Sequence, residues 1–94
     1  MQNENNEVCN EFEIQNVLGL HARAATLFVQ TASKFEAEIT VEKDGEQVNG
    51  KSLMSLLMLC AGFGTSIKVF AVGSDASGAM DAIGDLINNK FGEE

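Results

Sequence analysis

The sequence predicts an α+β protein in which a four-stranded antiparallel sheet carries helices on one face, in the order βαββαβα. Segments whose apolar residues recur at every second position alternate with segments of helical periodicity. Between two of the strand segments, Asp44-Gly45 supplies the positive backbone dihedral angles of a tight hairpin. The predicted helices are too few to cover both faces of a sheet, so a two-layer sandwich is favoured.

Four segments have the patterns of strands. In residues 8–14, apolar side chains alternate with glutamates, as in a strand with one buried face. Residues 36–43 alternate in the same way, and residues 47–49 follow the hairpin as a short return strand. Residues 67–72 are rich in β-branched and aromatic side chains, which pack well on a pleated surface.

Three segments have helical periodicity. Residues 22–35 carry an apolar stripe with spacings of three, four and seven, which predicts the first helix. Ser52 can cap a short second helix that is rich in leucine and is followed by a small apolar loop. Residues 76–90 predict a last amphipathic helix, with Ser74 or Asp75 near its start.

Length and composition indicate a single globular domain. The chain has 94 residues, of which 45% are hydrophobic and 21% charged, enough to close one core. Residues 1–7 are polar and lack periodicity, so we expect a disordered acidic extension before a domain at residues 8–94. The sequence shows neither a membrane-spanning run nor a signal peptide. We therefore expect a cytoplasmic protein that does not insert into membranes.

The charge balance argues against several classes of partner. Six basic residues against 14 acidic ones give a formal net charge of -8, which repels nucleic acids and anionic lipid surfaces. Cys9 and Cys60 are far apart in sequence, and neither belongs to a Cys-x-x-Cys motif. We therefore expect neither nucleic-acid binding nor a metal site.

His21 is the only histidine and stands between a glycine-containing loop and the predicted start of the first helix. The first turn of a helix presents backbone N–H groups without internal partners and a partial positive charge, which together stabilise an anion. A phosphoryl group on His21 would accept hydrogen bonds from the N–H groups of Ala22, Arg23 and Ala24. The same partial charge disfavours the imidazolium, which leaves a neutral ring whose lone pair can attack phosphorus. The guanidinium of Arg23 can bind the phosphoryl oxygens.

A simpler interpretation of both residues is also open. A lone histidine near a helix start can cap the helix or lie in solvent, and a single arginine is often a solvated surface charge. Taken by themselves, His21 and Arg23 do not decide between this interpretation and a phosphoryl site.

A longer string of residues resembles a known family. GLHARAA at residues 19–25 is similar to G-L-H-A-R-P-A, the active-site signature of the histidine phosphocarrier proteins. These proteins are the HPr family of the bacterial phosphoenolpyruvate-dependent phosphotransferase system, and their fold is an open-faced β-sandwich in the order βαββαβα. The similarity continues through FVQTASKF, VNGKSLM and GSDASGAM and covers most of residues 8–87. Ala24 replaces the family's proline, which removes a fixed dihedral angle and restores one N–H donor.

The resemblance implies roles for individual residues. His21 matches the histidine that enzyme I phosphorylates on Nδ1, and Arg23 matches the arginine that assists the transfer. The phosphoryl group then passes to a histidine of a sugar-specific enzyme IIA-type acceptor. Such a protein is a phosphoryl carrier and a substrate of phosphotransferases rather than an enzyme, and it needs no cofactor. Ser52 is similar to the serine that an ATP-dependent kinase phosphorylates in part of the family, or alternatively it only caps its helix.

The family docks against its partners through an apolar patch beside the histidine. We expect the docking residues to be Leu20, Thr26, Leu53, Met54 and Leu57. Because such docking is transient, we expect a monomer. The alternative is a regulatory module of the same fold, nitrogen-type or controlled by phosphorylation of Ser52, that signals nutrient state by binding other proteins. A serine kinase and phosphorylase would then be further partners.

Overall fold

Strands and helices alternate along the chain. The structure, a computed structural model, describes residues 7–93, which contain four β-strands and three α-helices. The strands are β1 (Glu7–Glu13), β2 (Glu38–Lys43), β3 (Glu46–Asn49) and β4 (Ser66–Val72). The helices are α1 (Ala22–Ala32), α2 (Leu53–Met58) and α3 (Ala76–Asn88), and a 3-10 turn at Lys90–Gly92 follows α3. The predicted order βαββαβα is confirmed.

The strands form one antiparallel sheet in the order β1-β4-β2-β3. Strand β4 is internal: Phe70 lies opposite Cys9 of β1 on one side and opposite Thr40 of β2 on the other. Strands β2 and β3 form the predicted hairpin, in which Asp44 and Gly45 have φ angles of 53° and 84°. The predicted fold class is therefore confirmed, and so is the turn that joins these two strands.

Alternation along the strands separates the two faces of the sheet. In β4, Ile67, Val69 and Ala71 are buried, whereas the residues between them are exposed or half-buried. Phe28 of α1 and Ile83 of α3 belong to the same buried cluster. The core thus lies between one face of the sheet and the helical layer, as the sequence predicted.

Both long helices end earlier than predicted. Helix α1 stops at Ala32 rather than at residue 35, and the N–H of Lys34 then donates to the carbonyl of Thr31 at 3.2 Å in a tighter turn. Helix α3 stops at Asn88 rather than at residue 90, because Phe91, only 2% exposed, turns into the core. Helical periodicity does not show where the chain leaves the helix.

The start of β1 also differs from the prediction. The sequence predicts a disordered extension at residues 1–7 and a domain that begins at residue 8. Glu7 instead is the first residue of β1 and lies opposite Val72 of β4. The remainder of the predicted extension, residues 1–6, lies outside the described residues.

Asp75 joins the start of α3 to the turn before β2. Its Oδ2 accepts a hydrogen bond from the N–H of Glu36 at 2.9 Å, and its Oδ1 accepts one from the N–H of Ala37 at 2.9 Å. Strand β2 begins after these residues, at Glu38 rather than at residue 36. The hydrogen bond from Glu36 is the largest cause that holds the pKa of Asp75 below its ordinary value. Asp75 is thus the N-cap of α3 by position, but its carboxylate caps a neighbouring turn.

The variant Asp75→Asn should be less stable, because an amide can accept one of these N–H bonds but presents an NH₂ group to the other. Since the folded-state pKa is lowered, the stabilisation by the carboxylate is complete above the unfolded pKa of about 3.9. It is lost as the pH falls through the folded value. Urea unfolding should therefore show the largest difference from wild type at neutral pH and a smaller one in strong acid.

The matched control is Asp81→Asn, at an exposed position of the same helix. We expect this variant to unfold as the wild type does. Equal losses in both variants, or a loss in Asp75→Asn that does not change with pH, would contradict the role given to the Asp75 carboxylate.

Candidate functional site

His21 is the N-cap of α1 and has extended backbone angles, with φ -82° and ψ -175°. The N–H of Leu20 donates to the carbonyl of Ala61 at 2.9 Å, which ties the residue before His21 to the loop between α2 and β4. The N–H of Gly19 donates to the carbonyl of Asn16 at 3.0 Å and closes a tight turn. A tight turn and a backbone hydrogen bond between two loops therefore place His21 at the start of α1.

Gly19 leaves no room for a side chain. A Cβ atom there would lie 2.9 Å from the carbonyl oxygen of Ala61 and 2.9 Å from the Cα of Gly62. Its φ of 71° also lies in the left-handed region, which costs other residues roughly 1–2 kcal/mol. The two loops beside His21 can approach each other because glycine occupies this position.

The start of α1 has the features of the predicted anion site. The N–H of Ala25 donates to the carbonyl of His21 at 2.8 Å and is the first amide with a partner in the helical ladder. The amides of Ala22, Arg23 and Ala24 come before it. The first turn contains no acidic side chain, so none there cancels the partial positive charge of the helix. An anion next to His21 would be stabilised by these groups.

The imidazole of His21 is held at one nitrogen and free at the other. Its Nε2 lies 2.5 Å from Oε2 of Glu93. Its Nδ1 has no hydrogen-bond partner among the residues that the structure describes, so His21 is the N-cap by position while its imidazole makes no capping hydrogen bond. The side chain is 30% exposed. In a neutral ring whose proton is on Nε2, the carboxylate would accept that proton and Nδ1 would carry the lone pair of a nucleophile.

Glu93 is a residue of this site that the sequence analysis did not find. Its side chain is 8% exposed, and its Oε1 accepts a hydrogen bond from Nδ2 of Asn16 at 3.0 Å. Nη2 of Arg23 lies 3.4 Å from Oε2, although the Arg23 side chain is 66% exposed. The hydrogen bond from His21, followed by that from Asn16, holds the pKa of Glu93 below its ordinary value. The ionised carboxylate therefore binds three side chains.

Asn16 is a fully buried polar side chain, and it too was missed in the sequence. Its Nδ2 donates to the carbonyl of Gly19 at 2.7 Å as well as to Glu93. Both partners are acceptors, which fixes the orientation of the amide. Its Oδ1 has no hydrogen-bond partner within residues 7–93. Asn16 thus links the turn before His21 to Glu93.

A left-handed turn brings Glu93 back to His21. Lys90, Phe91 and Gly92 have φ angles of 58°, 54° and 75°. For the two non-glycine residues this conformation costs roughly 1–2 kcal/mol each, which burial of Phe91 and the hydrogen bonds of Glu93 offset. The periodicity of α3 contains no signal for such a turn.

The residues predicted to dock partners lie in different environments. Met54 is 67% exposed and Leu53 is 38% exposed, whereas Thr26 and Leu57 are half-buried. Leu20 is only 5% exposed and belongs to the core. Because its side chain packs inward, little of it is left for a partner to contact, and its docking role stays a prediction.

Other apolar side chains are as exposed as Met54. Val17, Leu18, Met58 and Phe63 are between 63% and 72% exposed. Leu18 borders a shallow pocket of about 230 Å³ that His21 also lines. The remaining lining residues are Leu20, Cys60, Ala61 and Gly62. Most of these exposed residues lie in loops, where no periodicity shows which side chains face solvent.

Ser52 is the N-cap of α2, as predicted. Its Oγ accepts a hydrogen bond from the N–H of Ser55 at 3.3 Å and donates to Oγ of Ser55 at 3.0 Å. The side chain is half-buried, and Leu53 and Met54 follow it directly. The hydroxyl thus fixes the start of a helix that presents exposed apolar side chains.

The described residues contain neither a disulfide nor a candidate metal site. Cys9 and Cys60 are exposed and free. Within residues 7–93, no group of three or more His, Cys, Asp or Glu side chains could hold a metal ion. No helix in this range has the length and hydropathy needed to cross a membrane.

Comparison with known proteins identifies the family. Residues 8–89 match the family model described as the PTS HPr component phosphorylation site. The chain belongs to the HPr family. HPr proteins are phosphocarriers, so the resemblance found in the sequence is confirmed.

Individual HPr proteins resemble the chain over most of its length. Phosphocarrier protein HPr of Neisseria meningitidis serogroup A is 54% identical over 81 residues, which cover 86% of this chain and 91% of that protein. HPr-C-His from Thermoanaerobacter tengcongensis has a TM-score of 0.90 at 50% identity, covering 93% of this chain and 98% of that one. The crystal structure of an HPr dimer from the same organism has a TM-score of 0.75 at 52% identity, covering 87% and 94%. The chain thus resembles HPr proteins both in its sequence and in its fold.

Proposed function

We propose that His21 accepts a phosphoryl group on Nδ1 from phosphorylated enzyme I and passes it to a histidine of a sugar-specific enzyme IIA-type acceptor. One observation carries this proposal: the single histidine stands at the start of α1, bound at Nε2 and free at Nδ1. Membership of the HPr family supports phosphoryl transfer as the chemistry.

The start of α1 is suited to a phosphoryl group. As Nδ1 of His21 attacks, its bond to phosphorus forms while the donor's N–P bond breaks, and the electron pair of that bond stays on the donor nitrogen. The phosphoryl oxygens would accept hydrogen bonds from the amides of Ala22, Arg23 and Ala24. The Arg23 guanidinium can also reach the phosphoryl oxygens. Its ion pair with Glu93 is weak, because the Arg23 side chain is largely exposed to solvent.

The surroundings of His21 favour a carrier over an enzyme. The pocket beside the ring holds about 230 Å³, less than the roughly 300–1,000 Å³ of typical small-molecule sites. Donor and acceptor are then proteins, and the exposed Leu53, Met54 and Met58 of α2 are suited to bind them. We expect a cytoplasmic monomer, because self-association through α2 would cover this surface.

Regulation at Ser52 is a second candidate function. Ser52 lies at the start of α2, directly before the exposed Leu53 and Met54. A phosphate on Ser52 would be stabilised by the helix N-terminus and would add negative charge beside apolar side chains. It would weaken docking and leave the chemistry of His21 unchanged. In this function a serine kinase and phosphorylase are further partners.

Incubation with phosphoenolpyruvate, Mg²⁺ and enzyme I of the same organism should add one phosphoryl group to the wild-type chain, measured by intact mass. The gain should disappear on acid treatment, because phosphohistidine is acid-labile. His21→Ala should show no gain, since the chain has no other histidine. Ser52→Ala, the control, should gain the group as the wild type does. A wild-type chain that stays unmodified beside an active cognate enzyme I would contradict the carrier function.

Ser52→Asp should keep α2 capped, because aspartate is as good an N-cap as serine. Its charge should weaken binding of enzyme I by about tenfold, equivalent to about 1.4 kcal/mol, measured by titration calorimetry. Ser66→Asp adds the same charge at an exposed position of β4 and should bind as the wild type does. Equal affinities of the two variants would argue against regulation at Ser52.

A further inference from the structure

The carboxylate of Glu93 contacts the ring of His21 but does not touch the phosphoryl group in the proposed transfer. We propose that Glu93 is a positioning residue for phosphoryl transfer, which holds the Nε2 proton of His21 and so keeps Nδ1 as the nitrogen that reacts. This inference rests on the proposed function of His21 as the phosphoryl acceptor.

The contacts of Glu93 leave its carboxylate one orientation. Oε2 lies 2.5 Å from Nε2 of His21, while Oε1 accepts a hydrogen bond from Asn16 at 3.0 Å. The side chain is 8% exposed, so water has little access to it. Both oxygens are therefore engaged, and the ring is held from the side opposite to the reacting lone pair.

Asn16 holds the Glu93 carboxylate in place. Its side chain is completely buried, and its Nδ2 also donates to the carbonyl of Gly19 at 2.7 Å. Since Gly19 belongs to the turn that precedes His21, the same amide holds that turn and the carboxylate. Displacement of Glu93 relative to the ring would require Asn16 or the left-handed turn at Lys90–Gly92 to move as well.

Such an arrangement suits the charge that develops during transfer. A neutral His21 that carries its proton on Nε2 gains positive charge as Nδ1 forms a bond to phosphorus. The Glu93 carboxylate, hydrogen-bonded to Nε2, offsets this charge in the way that a buried aspartate orients and stabilises a catalytic histidine. It occupies Nε2 and leaves Nδ1 open, so it does not compete with the phosphoryl group for the ring.

Nitrogen spectra of the ring test this positioning without any partner protein. The imidazole signals of a ¹⁵N-labelled chain belong to His21, because it is the only histidine. In the neutral wild-type ring the proton should reside on Nε2. In Glu93→Ala the tautomer with its proton on Nδ1 should become more populated. Glu46→Gln, a substitution at an exposed glutamate of β3, should leave the spectrum unchanged.

The rate of phosphoryl uptake from enzyme I tests the consequence for transfer. Glu93→Ala should be slower than wild type by roughly 10- to 100-fold, the range seen when a metal-binding histidine loses the hydrogen-bond partner that orients it. Glu93→Gln should be slowed less than Glu93→Ala, because its amide oxygen can still accept the Nε2 proton. It should still be slower than wild type, because the amide carries no charge to offset the positive charge that develops on the ring. Glu46→Gln should react at the wild-type rate. Thermal unfolding of each variant separates a loss of positioning from a loss of fold.

An unchanged ring spectrum in a folded Glu93→Ala would overturn the proposal, and so would an uptake rate equal to that of wild type. A wild-type chain that takes up no phosphoryl group would instead contradict the proposed function. In that case the ring spectra still decide whether Glu93 orients His21, so the two failures can be told apart.

Discussion

The close approach of two loops is the constraint on which the site depends. The N–H of Ile14 donates to the carbonyl of Thr65 at 2.8 Å, and that of Leu20 donates to Ala61 at 2.9 Å. These hydrogen bonds fix the segment between β1 and α1 against the segment between α2 and β4. Gly19 permits the contact because a Cβ atom there would meet backbone. The contact between the two loops therefore sets the position of the start of α1 and of the free amides beside His21.

Stability and chemistry reside in different parts of the molecule. Phe28 and Ile83, both fully buried, hold the helices on the sheet, whereas the proposed exchange of phosphoryl groups with other proteins requires His21 to stay accessible. The site therefore relies on backbone amides and on a carboxylate, whose positions the fold sets, more than on burial. Asn16 and Glu93 connect the two parts: Asn16 is fully buried, and the side chain of Glu93, only 8% exposed, contacts both Asn16 and the half-buried ring of His21.

Local signals in the sequence were sufficient for much of the fold and for the central residue of the site. Asp44-Gly45 predicted its hairpin because two adjacent positive φ angles need such residues. The position of His21 before an amphipathic stripe, together with the family signature, indicated its place at the start of α1. Glu93 escaped detection because it lies 72 residues from His21 in sequence and reaches it only through tertiary packing. The burial of Leu20 could not be predicted for the same reason, since it depends on packing against a second loop.

The role of His21 as phosphoryl acceptor is tested most directly by locating phosphorus in the phosphorylated chain by ³¹P and ¹⁵N NMR. We expect coupling of phosphorus to Nδ1 of His21 and downfield shifts of the amide protons of Ala22, Arg23 and Ala24, the groups that would bind the phosphoryl oxygens. Phosphorus on Nε2 or on another residue, or amide protons that do not shift on phosphorylation, would contradict it.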